Sequence, residues 1–218
     1  MYDSIIFDLD GTLWDETHVT ARAWERVLEK HPDAVPSVVI DSDTVGSNMG
    51  LTCEEVAAIL FPSLDFEYAM QLMNESCEYE NLWLPECGGV LYPNVTETLM
   101  FLKEKGFRLY IVSNCQAGYI EAFLTSHGFW NVFDDFECSG KTGMTKGENI
   151  RLVIERNSLV SSVYVGDTVS DADGAEYAKI PFIYAKYGFG EKFGRGKVDK
   201  YDFCIDAPEQ LVRICTEK

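Results

Sequence analysis

Hydrophobic positions along the chain follow two different rhythms. The run Ser4-Ile5-Ile6-Phe7 is short and rich in β-branched and aromatic residues, and it predicts a buried strand. Helical spacing comes next: Val19, Ala23, Val27 and Leu28 recur on one face of 17–30. A second helix is expected over 52–60, where Thr52 and Glu55 have capping-box spacing, and Pro62 ends it. A third is expected over 66–82, before Pro85, Gly88, Gly89 and Pro93 punctuate the chain. From Asn94 onward the rhythm alternates. Helices are expected over 95–105, 119–126, 147–156, 171–179 and 208–215, with strands over 108–112, 135–138, 162–165, 181–185 and 201–205.

Alternation of this kind implies an α/β fold with a doubly wound parallel sheet and helices on both faces. The first strand is separated from the others by a mostly helical stretch. The expected organisation is therefore a core of residues 1–14 and 90–218, carrying a helical cap of residues 15–89. The linkers fall near 14–16 and 84–93. No internal repeat and no low-complexity segment stands out.

Composition narrows the function. The chain has 218 residues and a formal net charge of −18. That charge argues against nucleic acid and against anionic membrane surfaces as partners. No apolar run reaches the roughly 18 residues of a membrane span. The N-terminus shows no basic segment or cleavage site of a leader, so a cytoplasmic location is expected. The seven cysteines are odd in number and include no CxxC pair, which suits neither a disulfide framework nor a structural zinc site. A monomer or weak dimer is expected.

Chemistry concentrates where strands end. Asp8-Leu9-Asp10-Gly11-Thr12 follows the first strand, Ser113-Asn114 follows the strand at 108–112, and Gly166-Asp167 follows the strand at 162–165. Parallel sheets present their ligand sites at the carboxyl ends of strands. If the first and third of these strands are neighbours, three carboxylates meet at one mouth. They would repel one another, and a bound Mg²⁺ resolves the conflict.

These motifs, in this order, resemble those of the haloacid dehalogenase-like superfamily, and specifically its phosphatases with a helical cap, close to the phosphoglycolate phosphatase and β-phosphoglucomutase types. The matching residues are Asp8-Leu9-Asp10-Gly11-Thr12-Leu13, Ser113-Asn114, Lys146 within Gly143-Met144-Thr145-Lys146-Gly147, and Gly166-Asp167-Thr168-Val169-Ser170-Asp171. The resemblance implies a nucleophilic Asp8 that forms an aspartyl-phosphate. It implies Asp10 as the acid and base. Mg²⁺ would be held by the Asp8 carboxylate, the Asp10 main-chain carbonyl and Asp167, with Asp171 supporting that shell. Ser113, the Asn114 backbone N–H and Lys146 would bind the phosphoryl oxygens, and Lys146 would offset their charge. The implied activity is Mg²⁺-dependent hydrolysis of a small-molecule phosphate monoester.

Plainer readings stand beside these. Asp171 also suits a helix cap, and Lys141 rivals Lys146. Cys115 reads first as a small buried residue and second as a reactive thiol near the site. His18 and Arg22, four apart on the first cap helix, are candidate substrate contacts, and so is Asn48 in the loop 46–50. The basic, glycine-rich stretch 186–200 lacks the ending of a Walker loop and could lend positive potential to the mouth.

The cap is acidic. Its cations are Arg22, Arg26 and Lys30, and no Lys or Arg occurs from His31 through Leu102. A second phosphate or a carboxylate on the substrate would call for an arginine clamp. The expected ester therefore has a neutral or weakly charged far end, such as a sugar, polyol or nucleoside. The same shortage disfavours a phosphoglucomutase-like phosphotransferase, which remains the alternative enzyme. Retention of Asp10 disfavours the dehalogenase and phosphonate-cleaving branches. A non-catalytic binding protein on the same fold is the remaining alternative.

Overall fold

The computed structural model describes residues 2–193 and 198–216. Strand β1 (Ser4–Phe7) is buried throughout. The chain then turns sharply at Gly11, whose φ of +79° and contact with the Asp167 carboxylate leave no room for a side chain. It passes through β2 (Trp14–Asp15) into four helices: α1 (Thr17–Lys30), α2 (Ser42–Asn48), α3 (Cys53–Leu60) and α4 (Phe66–Cys87). It returns through β3 (Val90–Leu91), which pairs antiparallel with β2. The two expected linkers are thus hydrogen-bonded to each other, Trp14 opposite Leu91 and Asp15 opposite Val90.

The remainder alternates. In order come α5 (Val95–Glu104), β4 (Arg108–Ser113), α6 (Tyr119–His127), β5 (Asp135–Cys138), α7 (Ser139–Thr142), α8 (Lys146–Arg156), β6 (Ser162–Gly166), α9 (Val169–Ala178), β7 (Phe182–Ala185), α10 (Phe189–Phe193), β8 (Phe203–Ile205) and α11 (Gln210–Thr216). Among the described residues, six strands form one parallel sheet in the order β5-β4-β1-β6-β7-β8. The connection reverses direction at β1, and a doubly wound sheet binds its ligand at such a point. In register, Phe7 lies between Ile111 of β4 and Val165 of β6, so the residues just beyond these three strands open onto one edge.

Strand alternation feeds two hydrophobic layers. Ile5, Phe7, Leu109, Ile111, Val163 and Val165 face Leu99, Phe123 and Leu211 on one side. Ile6, Tyr110, Val112 and Tyr164 face Ile150, Val153 and Ala175 on the other. The helices α1–α4 have an apolar cluster of their own, including Trp24, Val27, Val45, Val56, Leu60, Leu72 and Met73.

Several expectations shift. Residues 46–48, expected in a loop, close helix α2, whose N-terminus is capped by Asp41 accepting from the Thr44 N–H at 2.7 Å. Gly46 is required there because a Cβ would strike the Phe193 ring. Helix α4 runs past Leu82 and tolerates Pro85 in its last turn, where only the bond to the Asn81 carbonyl is lost, and it stops at Gly88. Helices α8 and α9 begin slightly earlier than expected because Thr145 and Thr168 build capping boxes with Glu148 and Asp171. Of the stretch 186–200, Arg195 and Lys197 lie outside the described residues.

Candidate active site

Asp8 follows β1 directly, and its backbone N–H donates to Val165 of β6 at 2.8 Å. Asp167 follows β6, and Ser113 ends β4. Lys146 enters from the first turn of α8, a position that favours anions and so is not explained by helix stability. Its ammonium donates to Asp8 Oδ1 at 2.9 Å and to Asp171 Oδ1 at 2.6 Å. Carboxylate oxygens of Asp8, Asp167 and Asp171 lie within 4.8 Å of one another, and all three residues are buried. The rival Lys141 is exposed and pairs with Glu137 at 3.9 Å instead.

The cluster is electrostatically unfinished. Burial pushes Asp8 up to about 7, assisted by the nearby Asp171 charge and opposed by Lys146. Burial, then Asp171 and Asp8, drive Asp167 well above the usual carboxylate range. For Lys146 burial works against the charge, but Asp171 and Asp8 more than offset it and hold the ammonium. One ammonium facing three buried carboxylates leaves an excess of negative charge in an all-oxygen donor set. That chemistry fits a hard divalent cation such as Mg²⁺.

Asp171 is the best-satisfied member. It accepts from the Asp167 and Thr168 N–H groups at 3.1 and 2.9 Å, the Thr168 hydroxyl at 2.6 Å, and Lys146. The two readings of Asp171 coincide: it completes the α9 capping box, with Thr168 as the N-cap, and it stands at the acidic cluster. Asp167 accepts from the Thr12 hydroxyl at 3.3 Å and the Gly190 N–H at 3.1 Å. The glycine-rich stretch therefore reaches the site through its backbone.

Asp10 occupies a different niche. Its Oδ1 accepts from Trp14 Nε1 at 2.7 Å and from the Tyr119 hydroxyl at 2.9 Å. Burial raises its pKa, against the pull of these donors and of Glu16. Glu16, fully buried at the start of α1, is pushed well up by burial and by Asp10, and sequence reasoning missed it. The Asn114 amide is pinned between the Gly50 carbonyl and Ser170, both at 3.3 Å, and accepts from Ser139 at 3.0 Å.

An inner cavity of about 80 Å³ joins this cluster to the helical segment, with Asp8, Asp10, Ser113, Asn114 and Lys146 on one side. Asn48 lines it, its amide donating to the Thr44 carbonyl at 2.7 Å. His18 and Arg22 do not. Both are exposed, and Arg22 lies over the Trp83 ring at 5.8 Å. The α1 residues lining the cavity are Thr20 and Trp24, two positions on and so about 200° around the helix. Cys115 lines the cavity as a neutral thiol, because burial and Cys138 push its pKa well up.

Glu80 on α4 also lines the cavity, and sequence reasoning passed over it. The signal was present. The buried stripe Ala69, Leu72, Met73, Ser76, Glu80 and Leu84 follows helical spacing, and a glutamate within such a stripe is out of place unless it has partners.

The profile of the haloacid dehalogenase-like hydrolase family matches residues 5–185. A phosphoglycolate phosphatase of Colwellia psychrerythraea is 28% identical over 223 residues, spanning 95% of this chain and 94% of its own. That of Vibrio cholerae is 27% identical over 207 residues, covering 89% of this chain and 90% of its own. Among solved structures, a haloacid dehalogenase-like family hydrolase from Streptococcus pneumoniae superposes with a TM-score of 0.82 at 21% identity, covering 98% of each chain.

Proposed function

The chain belongs to the haloacid dehalogenase-like hydrolases, and from that premise we propose that it is a Mg²⁺-dependent phosphatase acting on a small phosphate monoester through Asp8. The phosphatase names of its relatives support this reading. The observation that carries it is Lys146 bridging Asp8 and Asp171 beside Asp167, at the ends of neighbouring strands.

Asp8, Asp167 and the Asp10 carbonyl would hold the cation, with Asp171 steadying the arrangement while orienting Lys146. That cation would supply positive charge to offset the carboxylates and the transferring phosphoryl group. Ser113, the Asn114 N–H and Lys146 hold the phosphoryl oxygens. An Asp8 carboxylate oxygen attacks phosphorus and the ester P–O bond breaks. Asp10 gives its proton to the departing alkoxide, yielding the free alcohol. Asp10 then takes a proton from water, whose oxygen attacks the phosphoryl group and returns Asp8 as carboxylate and phosphate as product. The burial that raises the Asp10 pKa favours its protonated form, as the acid role requires. Residues 15–89 act as a cap over the 1–14 and 90–218 core, closing the cavity to bulk water.

The test is phosphate release from p-nitrophenyl phosphate. Activity that requires Mg²⁺ and disappears in both D8N and D10N supports the assignment. No release from this ester or from a broad panel of phosphate esters would instead favour a binding protein on the same fold.

A further inference from the structure

The far wall of the cavity is unusual in charge. Among the described residues lining it, Lys146 is the one cation, and it is already committed to Asp8 and Asp171. The wall opposite is built from Trp24, Val45, Met49 and Met73, with the polar side chains of Glu80, Thr20 and Asn48 set into it, the Asn48 amide already donating to the Thr44 carbonyl.

Glu80 is 5% exposed. Its Oε1 accepts from Trp24 Nε1 and its Oε2 from Gln116 Nε2, each at 2.7 Å. Two donors do not exhaust a carboxylate, which has room for about four. Thr20 is 2% exposed, and its hydroxyl has no hydrogen-bond partner. A buried, unpartnered hydroxyl on a residue that lines a cavity is costly unless a ligand completes it. Burial already pushes Glu80 up to about 7 against its two donors, with Asp10 adding to the rise. Above that value Glu80 is a carboxylate, and a further anion placed against it meets repulsion with no counter-charge.

We propose that Glu80 is a specificity-determining residue. With Thr20 it selects phosphate esters whose far end carries a hydrogen-bond donor, a hydroxyl or an ammonium, and it rejects those ending in a carboxylate or second phosphate. This rests on the phosphatase reading above and deepens it. It separates this chain from the substrate named for its curated relatives, because phosphoglycolate ends in a carboxylate. Glu80 supplies an acceptor, Thr20 both a donor and an acceptor, and the Trp24 ring an apolar face that an ammonium or a carbon skeleton packs against.

The experiment compares kcat/KM at about pH 8, where the Glu80 carboxyl is ionised, with Mg²⁺ present, for glycerol 3-phosphate, O-phosphoethanolamine, 2-phosphoglycolate and 3-phosphoglycerate, with p-nitrophenyl phosphate as the generic ester. The better of the two donor-bearing esters is expected to exceed both carboxylate esters by at least about tenfold, the scale of like-charge rejection in a buried site. The preferred member of the first pair separates hydroxyl from ammonium recognition. E80Q is expected to shrink that ratio several-fold, mainly through KM. T20V is expected to raise KM for the preferred ester while kcat holds, and it carries the test if E80Q does not fold. Turnover of p-nitrophenyl phosphate with 2-phosphoglycolate equal or preferred overturns the inference and leaves the phosphatase reading standing. An unchanged ratio in a folded E80Q likewise removes Glu80 from the role. No turnover of any ester overturns both.

Discussion

The two sides of the cavity are built on opposite principles. On the sheet side, charge is concentrated: Asp8, Asp167 and Asp171 crowd around Lys146, on strand ends and helix starts fixed by backbone hydrogen bonds. On the helical side, charge is sparse: Glu80 stands among apolar residues, tied to Trp24 on α1 and to Gln116 in the loop after β4. The first arrangement handles a group common to all phosphate esters. The second meets what differs between them. On the proposed function, reaction chemistry would sit on the sheet side and selection on helices whose packing can vary without disturbing it.

Perturbing each side should give different signatures. The largest effect is expected from D8N, which removes the proposed nucleophile and should lower kcat by more than about 10⁴-fold in steady-state assays. K146M should follow with a loss of about 10²- to 10³-fold in kcat, because charge stabilisation goes while the nucleophile stays. If K146M retained full activity, the sheet side would not be the reacting side.

G46A tests the helical side without touching a charged group. The added methyl meets the Phe193 ring, so a loss of about 1–3 kcal/mol is expected in denaturant unfolding. An unchanged midpoint would mean that α10 does not brace α2.

The smallest and most discriminating effect is the pH dependence of stability in metal-free protein. Asp8 and Glu80 both hold their protons up to about 7 when folded, whereas unfolded carboxyls release them near 4. Between those values the folded state binds more protons, so stability falls as pH rises from about 4 to about 7. Mg²⁺ is expected to remove the Asp8 share of that slope by favouring its carboxylate. The Glu80 share should persist with Mg²⁺ and vanish in E80Q. A slope abolished entirely by Mg²⁺ would place all of the titration on the sheet side.

Much of the sheet side was legible beforehand. Asp8, Asp10, Ser113, Lys146 and Asp167 were each singled out from strand-end position or motif spacing, and the structure brings all five to one cavity or its edge. Lys146 was separable from Lys141 only by motif spacing, and burial now distinguishes them plainly. The helical side was read less well. His18 and Arg22 share a face, as spacing requires, but it is the outer face. Glu80 sat unnoticed in the buried stripe of α4, since a long acidic helix offers many glutamates and only packing shows which one is covered.

By itself the sequence determined the alternation of elements, the parallel sheet and the polar residues where its strands stop. Those features follow from local rules: a period of two along each strand, caps and turns at its ends, and parallel pairing that brings the ends to one edge. Only the tertiary structure decided how α1 and α4 are turned about their axes, and hence that Thr20, Trp24 and Glu80 face the cavity in place of His18 and Arg22. Helix rotation is set by the sum of many weak contacts with residues distant in the chain, and no short motif encodes that sum.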